Sequence, residues 1–206
     1  MNARASTLKT EARKRRPARK RASLEQADWI AEARNLLISG GIGAVKIGHL
    51  ARKLRVTREA FYWHFKNLSE LCDELILDWE RRNSLAYRAL LDPQERNGVE
   101  ELRAIVAAWV NEERLSPSWD AALRDWARTS KMVARVVKRV DIMRIGVIEQ
   151  IFRDMGMEDL EATVRARIMY FHQVGYYSID MHESAENRRR LLPMYLRIIT
   201  GKEIFG

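Results

Sequence analysis

KIGHLARKLRVTREAFYWHFKNLSEL, residues 46–71, decides how this chain is read. Ile47, Leu50, Ala51 and Leu54 recur at i, i+3, i+4 and i+7, one apolar face of a helix about two turns long. Arg55-Val56 leaves room only for a turn, and the hydroxyl of Thr57 is placed to cap a second helix. In that helix Val56, Ala60, Phe61 and Phe65 turn inward. Arg58, Glu59, Tyr62 and Trp63 then point outward together. Large aromatics on a solvent face mark a contact surface. A unit of two helices that lays the second in a DNA major groove requires this arrangement.

The same residues resemble the DNA-binding domain of the TetR family of bacterial regulators. The family pattern runs from Leu50-Ala51 through a turn at Arg55-Val56 to Tyr62-Trp63-His64-Phe65 and on to Leu71. The likeness covers about residues 23–80. Arg55 stands where the family has Gly, so the turn carries backbone strain. Leu68 stands where the family has a phosphate-touching Lys, and Lys66 supplies a charge nearby. The resemblance implies an all-α protein of about nine helices: a three-helix DNA-binding domain, then a helical ligand-binding and dimerisation domain. It also implies a DNA face of Lys46, Thr57, Arg58, Glu59, Tyr62, Trp63, His64 and Lys66. There Tyr62, His64, Lys66 and Trp63 serve phosphates. Arg58 reads a base edge, and Glu59 accepts from a cytosine amino group or holds Arg58.

Composition agrees. The chain has 206 residues, 47% hydrophobic and 32% charged, with only 4 Pro and 10 Gly, so long helices fit. Net charge is +9, but residues 1–22 hold nine Lys/Arg against Glu11, so almost all the excess sits in one basic tail. That tail has too few apolar residues to fold alone. It is read either as a solvated appendage or as an arm adding phosphate contacts beside the DNA-reading unit. A single cysteine, Cys72, excludes an internal disulfide and suits a reducing cytoplasm. It lies on an apolar helix face, which suggests an inert buried thiol. No apolar run reaches the length of a membrane span, and no apolar segment follows the basic N-terminus as in a secretory signal.

Three domains are expected: a tail at 1–22, a helix-turn-helix domain at 23–79, and an effector-binding and dimerisation domain at 80–206. Ser23-x-x-Gln26 reads as the capping box of helix one, with Trp29, Ile30, Ala33, Leu36 and Leu37 as its buried stripe. Asn67-x-x-Glu70 opens a long fourth helix to about Leu91, ended by Asp92-Pro93. Further helices start at Asn97, at Ser116-Pro117 and near Lys131, the last stopped by Gly156. Two more cover 158–181 and 185–199, with Pro193 expected to kink or restart the final one.

The 158–181 helix carries two stripes, Leu160, Val164, Ile168, Phe171, Gly175 and Ser178 beside Ala162, Arg165, Met169, His172, Tyr176 and Ile179. That much apolar surface is covered on more than one side. The resemblance implies that the last two helices pair with those of a second copy. It also implies an effector pocket, for which Trp109, Trp126, Met143, Tyr170, His172 and Tyr176 supply aromatic and soft apolar walls. Ordinary core packing is the competing explanation for each of them. The sequence names no effector and no cofactor.

There is no Glu-x-x-His pair, His-Glu-x-x-His, P-loop or Gly-x-Ser-x-Gly, and the four His are not at metal-ligand spacing. An enzyme is therefore not expected. The sequence reads as a cytoplasmic, dimeric, ligand-responsive repressor on a DNA operator. The alternative is a sequence-indifferent architectural DNA-binding protein. Glu59 weighs against that, because a carboxylate facing DNA costs affinity unless it discriminates bases.

Overall fold

The computed structural model describes residues 24–89, 97–111, 116–179 and 183–201. Among them the fold is all-α. The helices are α1 (Gln26–Gly40), α2 (Ile47–Leu54), α3 (Glu59–Tyr62), α4 (Leu68–Arg88), α5 (Gly98–Asn111), α6 (Pro117–Ala127), α7 (Lys131–Asp154), α8 (Asp159–Ile179) and α9 (Ala185–Thr200). A 3₁₀ turn at Ile42–Ala44 joins α1 to α2. The basic tail and the Asp92-Pro93 break lie outside the described residues, as do Leu91 and Met181, expected near two helix ends.

Local chemistry sets most helix ends. The Asn67 side chain accepts the Glu70 N–H at 3.0 Å and Ser130 accepts that of Val133, each satisfying an orphan donor of a first turn. Gly41, Gly156 and Gly201 take the positive φ that ends α1, α7 and α9. Two expected caps differ. Helix α1 starts at Gln26, with Glu25 as its N-cap, and the Glu25 N–H donates to the Asp28 carboxylate at 2.8 Å; Ser23 lies outside the described residues. Thr57 does not cap α3. That helix starts at Glu59 behind Arg58, with no side-chain cap. Helix α9 runs through Pro193 without a restart.

Two buried clusters hold the molecule. The first joins Trp29, Ala33 and Leu37 of α1 to Leu50, Phe61, Phe65, Leu71, Leu75 and Trp79. It continues into Trp119, Leu123 and Trp126 of α6 and into Val133, Val137 and Val140 of α7. The second packs Tyr87 of α4 against α5, α7, α8 and α9, around Leu102, Ile105, Ile148, Phe152, Ala166 and Met169. Helix α4 therefore contributes to both, Trp79 to one and Tyr87 to the other. No described helix is long and apolar enough to cross a membrane.

Candidate DNA interface and the regulatory core

The α2–α3 unit is anchored by aromatic packing. Phe61, fully buried, meets the Trp29 ring edge-on at 5.4 Å and stacks on Phe65 at 5.4 Å. With Phe61 and Phe65 pinned inward, the helical turn carries Tyr62 and Trp63 to the other side, 60% and 86% exposed. Lys46, Thr57, Arg58, Glu59 and Lys66 are exposed beside them, and His64 is half-buried with its ring tilted against Trp29 at 6.2 Å. The structure thus brings all eight sequence-predicted residues of the DNA face onto one compact unit. Leu68 is partly buried against the first core, so that position is a packing residue and offers no charge.

The turn has the strain that the sequence indicates. Arg55 sits at φ 58°, ψ 43°, the only non-glycine residue with positive φ among the described residues. This left-handed conformation costs a side chain roughly 1–2 kcal/mol. The Val56 N–H donates to Ala51 O at 2.9 Å, closing the helix end.

Charge on the outer face is fixed locally. The Glu59 carboxyl is held below its usual value by its own backbone N–H, then by the Thr57 hydroxyl and the nearby Arg58 charge. It presents a carboxylate at neutral pH. Arg58 makes no ion pair with it. Its guanidinium lies against Gly48 of α2, where a Cβ would come within 2.8 Å of Nη2 and 3.2 Å of Cζ. Sequence reasoning missed Gly48 as the seat of Arg58; its only sign there is a glycine inside a helix, which ordinarily weakens it.

Behind the DNA face lies a polar network, also unread in the sequence. Arg144 of α7, 4% exposed, donates to Asp120 Oδ2 at 2.6 Å, to Asn83 Oδ1 and to the Tyr170 hydroxyl at 3.3 Å. The Trp79 indole N–H donates to Asp120 Oδ1 at 2.8 Å. Arg124 grips Asp141 through two bonds of 2.9 and 2.6 Å, and Tyr170 donates to Asp141 at 2.6 Å. Burial alone would raise the Asp141 carboxyl. The Arg124 and Tyr170 hydrogen bonds and the two guanidinium charges overcome it and hold the group below its usual value. The signal was available, since Arg144 occupies the stripe Val137, Val140, Ile148 that α7 otherwise buries.

Two cavities flank Trp109. One, about 590 Å³ and partly open to solvent, is lined by Trp109, His172, Tyr176, Arg188, Tyr195 and Leu196, among others. Its His172 ring lies 4.7 Å from that of Tyr195, and burial lowers the imidazole below its ordinary value. The other, about 520 Å³, is lined by Tyr87, Trp109, Asp120, Arg124, Arg144 and Tyr170, with Gln173 shared between the two. Of the residues predicted for a pocket, Trp109, Tyr170, His172 and Tyr176 line these cavities. Trp126 packs in the first core and Met143 against both cores, and neither lines either of these two cavities.

Two further features complete the site. Leu160, Val164, Ile168 and Phe171 of α8 and Met194 and Ile198 of α9 are large apolar residues exposed on the monomer. Cys72 is half-buried, with burial pushing its thiol up to about 11, so it is a poor nucleophile at neutral pH. Among the described residues no cluster of His, Cys, Asp and Glu is placed to hold a metal ion.

A fold that is all-helical among the described residues, anchors a helix-turn-helix on a helical core and turns Arg58, Glu59, Tyr62 and Trp63 outward has the architecture of a DNA-binding transcriptional regulator. Residues 30–75 match the family model for bacterial regulatory proteins of the tetR family, so the N-terminal unit is a DNA-binding domain of that family. Most of the chain shares its fold with solved structures. A TetR-family transcriptional regulator from Agrobacterium tumefaciens superposes with a TM-score of 0.67 at 18% identity, covering 84% of this chain and 96% of that one. A TetR regulator from Legionella pneumophila gives 0.63 at 12% identity, covering 88% and 96%. The reduced form of E. coli NemR gives 0.62 at 14% identity, covering 88% and 97%. No curated protein matches the sequence.

Proposed function

We propose that this protein is a sequence-specific transcriptional regulator of the cytoplasm, a dimeric repressor that a small-molecule effector releases from a palindromic operator. The observation that carries the reading is the outward Arg58-Glu59-Tyr62-Trp63 face on a turn of helix whose Phe61 and Phe65 are fully buried on the other side. The DNA-reading domain spans 23–79 and the effector-binding and dimerisation domain 80–206.

Tyr62, His64 and Lys66 bond phosphates, with Lys46, Thr57 and Trp63 at the edges of the footprint; these contacts set register. Arg58 swings from Gly48 to a guanine edge, and Glu59 accepts from a cytosine amino group. One such unit reads few bases. Two units on half-sites about 34–36 Å apart read enough, so the exposed apolar face of α8 and α9 belongs against a second copy. The effector binds in the cavities around Trp109 and favours a dimer whose reading heads no longer match the half-sites. The shift is set by its differential affinity for the two states. Trp109, Tyr170, His172 and Tyr176 are its contacts, and Trp126 and Met143 act on it only through packing.

Operator variants test the base-reading role. Arg58→Ala is expected to weaken the cognate operator by about 1–3 kcal/mol, or roughly 5- to 150-fold, and to flatten preference at one base position per half-site. A loss equal on every sequence would make Arg58 a phosphate contact and remove the claim.

A further inference from the structure

The cavity between α4, α6, α7 and α8 holds a buried hydrogen-bond donor that the protein leaves unmet. Arg144 uses both terminal nitrogens on Asp120, Asn83 and Tyr170, but its buried Nε–H has no partner. Arg124, a quarter exposed, spends its terminal nitrogens on Asp141 and Tyr170, and its Nε–H is left to solvent. The Tyr87 hydroxyl accepts from the Trp109 indole at 3.0 Å, and no described residue accepts its own proton. The two carboxylates, by contrast, are engaged on both oxygens. Asp120 Oδ1 receives Trp79 and Arg144 and its Oδ2 receives Arg144, and Asp141 receives Arg124 and Tyr170. An unmet buried donor costs about 1–3 kcal/mol, so a ligand oxygen placed here recovers what the free protein forgoes.

Charge narrows the ligand further. Arg124, Arg144 and Asp120 line the cavity; Arg144 is paired with Asp120 in the wall and Arg124 with Asp141 behind it, so both guanidinium charges are already balanced. An anion would meet Asp120 and find no uncompensated cation, and a cation would meet the two guanidinium groups. The remaining wall is mainly apolar or aromatic, through Trp109, Val174 and Ala121, with polar groups from Ser116, Gln173 and Ser178 at places around it. Arg144 Cζ lies 5.2 Å from the Tyr87 ring centre, so two of the spare donors come from neighbouring groups.

We propose that this cavity is the effector site and that it takes a neutral molecule with an apolar, preferably aromatic, body and a carbonyl-type oxygen. The oxygen seats against the spare donors of Arg144 and Tyr87. The inference rests on the effector reading above and deepens it. Tyr87 belongs to α4, the helix that also carries Leu71 and Trp79 of the DNA-reading core, so the ligand touches that helix directly.

The test uses four probes of one shape on the full-length protein: acetophenone, ethylbenzene, benzoate and protonated benzylamine. Binding is followed by calorimetry and by the indole N–H resonance of Trp109. Acetophenone is expected to bind at least about fivefold more tightly than ethylbenzene, the worth of one hydrogen bond, and more tightly than either ion. Ala121→Phe, at an exposed residue of the cavity wall outside the ion network, is expected to abolish that binding. The proposal is overturned if ethylbenzene matches acetophenone, if either ion binds best, if no probe binds, or if Ala121→Phe changes nothing. Operator binding is measured in the same samples. Should acetophenone bind with the expected ranking and leave the operator complex intact, the ligand class stands and the release mechanism fails.

Discussion

Arg144→Met lowers the unfolding free energy by about 3–5 kcal/mol, the cost of leaving a buried ion without its partner. The guanidinium is 4% exposed and is the common partner of Asp120, Asn83 and Tyr170. It also lies 5.8 Å from the Trp79 ring centre and 5.2 Å from that of Tyr87. Methionine fills much of the volume, so little of the loss is cavity; most comes from the stranded Asp120 carboxylate. Adding Asp120→Asn to Arg144→Met therefore restores part of the stability, because the stranded charge is gone. Urea denaturation at one fixed protein concentration measures both. A loss under about 1 kcal/mol for the single variant would mean that water reaches the network and that it does not tie α4 to α6 and α7. The neighbouring Asp141 adds a pH dependence of known sign. Its folded value is depressed, so its contribution is complete above the usual carboxylate value of about 3.9 and is lost as pH falls through the lower folded value.

Ile168→Glu is expected to leave the isolated subunit intact and to abolish tight operator binding. Ile168 is 53% exposed, in the middle of the α8 stripe. A surface change of this kind moves subunit stability by no more than about 0.5 kcal/mol. In a two-fold dimer the same substitution enters twice, placing two unpaired carboxylates in an apolar interface. Operator affinity should fall by at least about 100-fold, since removal of one buried partner already costs several kcal/mol. Sedimentation at micromolar concentration gives the assembly state, and an operator titration gives the affinity. A variant that remains dimeric would show that the α8 and α9 face is not where two copies meet.

The DNA-reading unit was legible because short-range spacing decides it. Once Phe61 and Phe65 are buried, helical geometry leaves Tyr62 and Trp63 nowhere but outside, and the Gly-to-Arg departure at 55 foretells a left-handed residue. The exposed stripe of α8 was legible for a related reason, as more apolar surface than one subunit can cover. Thr57 was misread because its hydroxyl can either accept from a backbone N–H as a cap or donate to the Glu59 carboxylate, and spacing does not choose between them. The fate of the aromatics also escaped. Trp126 and Trp109 stand on similar amphipathic helices, yet one packs between α1 and α7 while the other borders open space, a difference made by long-range packing. Arg144 and Asp120 come from separate helices, and nothing local announces that they meet.

Selective DNA binding is tested most directly by titrating the purified protein against the DNA upstream of its own gene and against a random duplex across a salt series. Sequence-specific recognition predicts a protected palindrome on the upstream fragment and affinity about 10³-fold or more above the random duplex, a ratio that survives as salt rises. Equal affinities that collapse together with salt would contradict it, leaving a protein that coats DNA through charge alone.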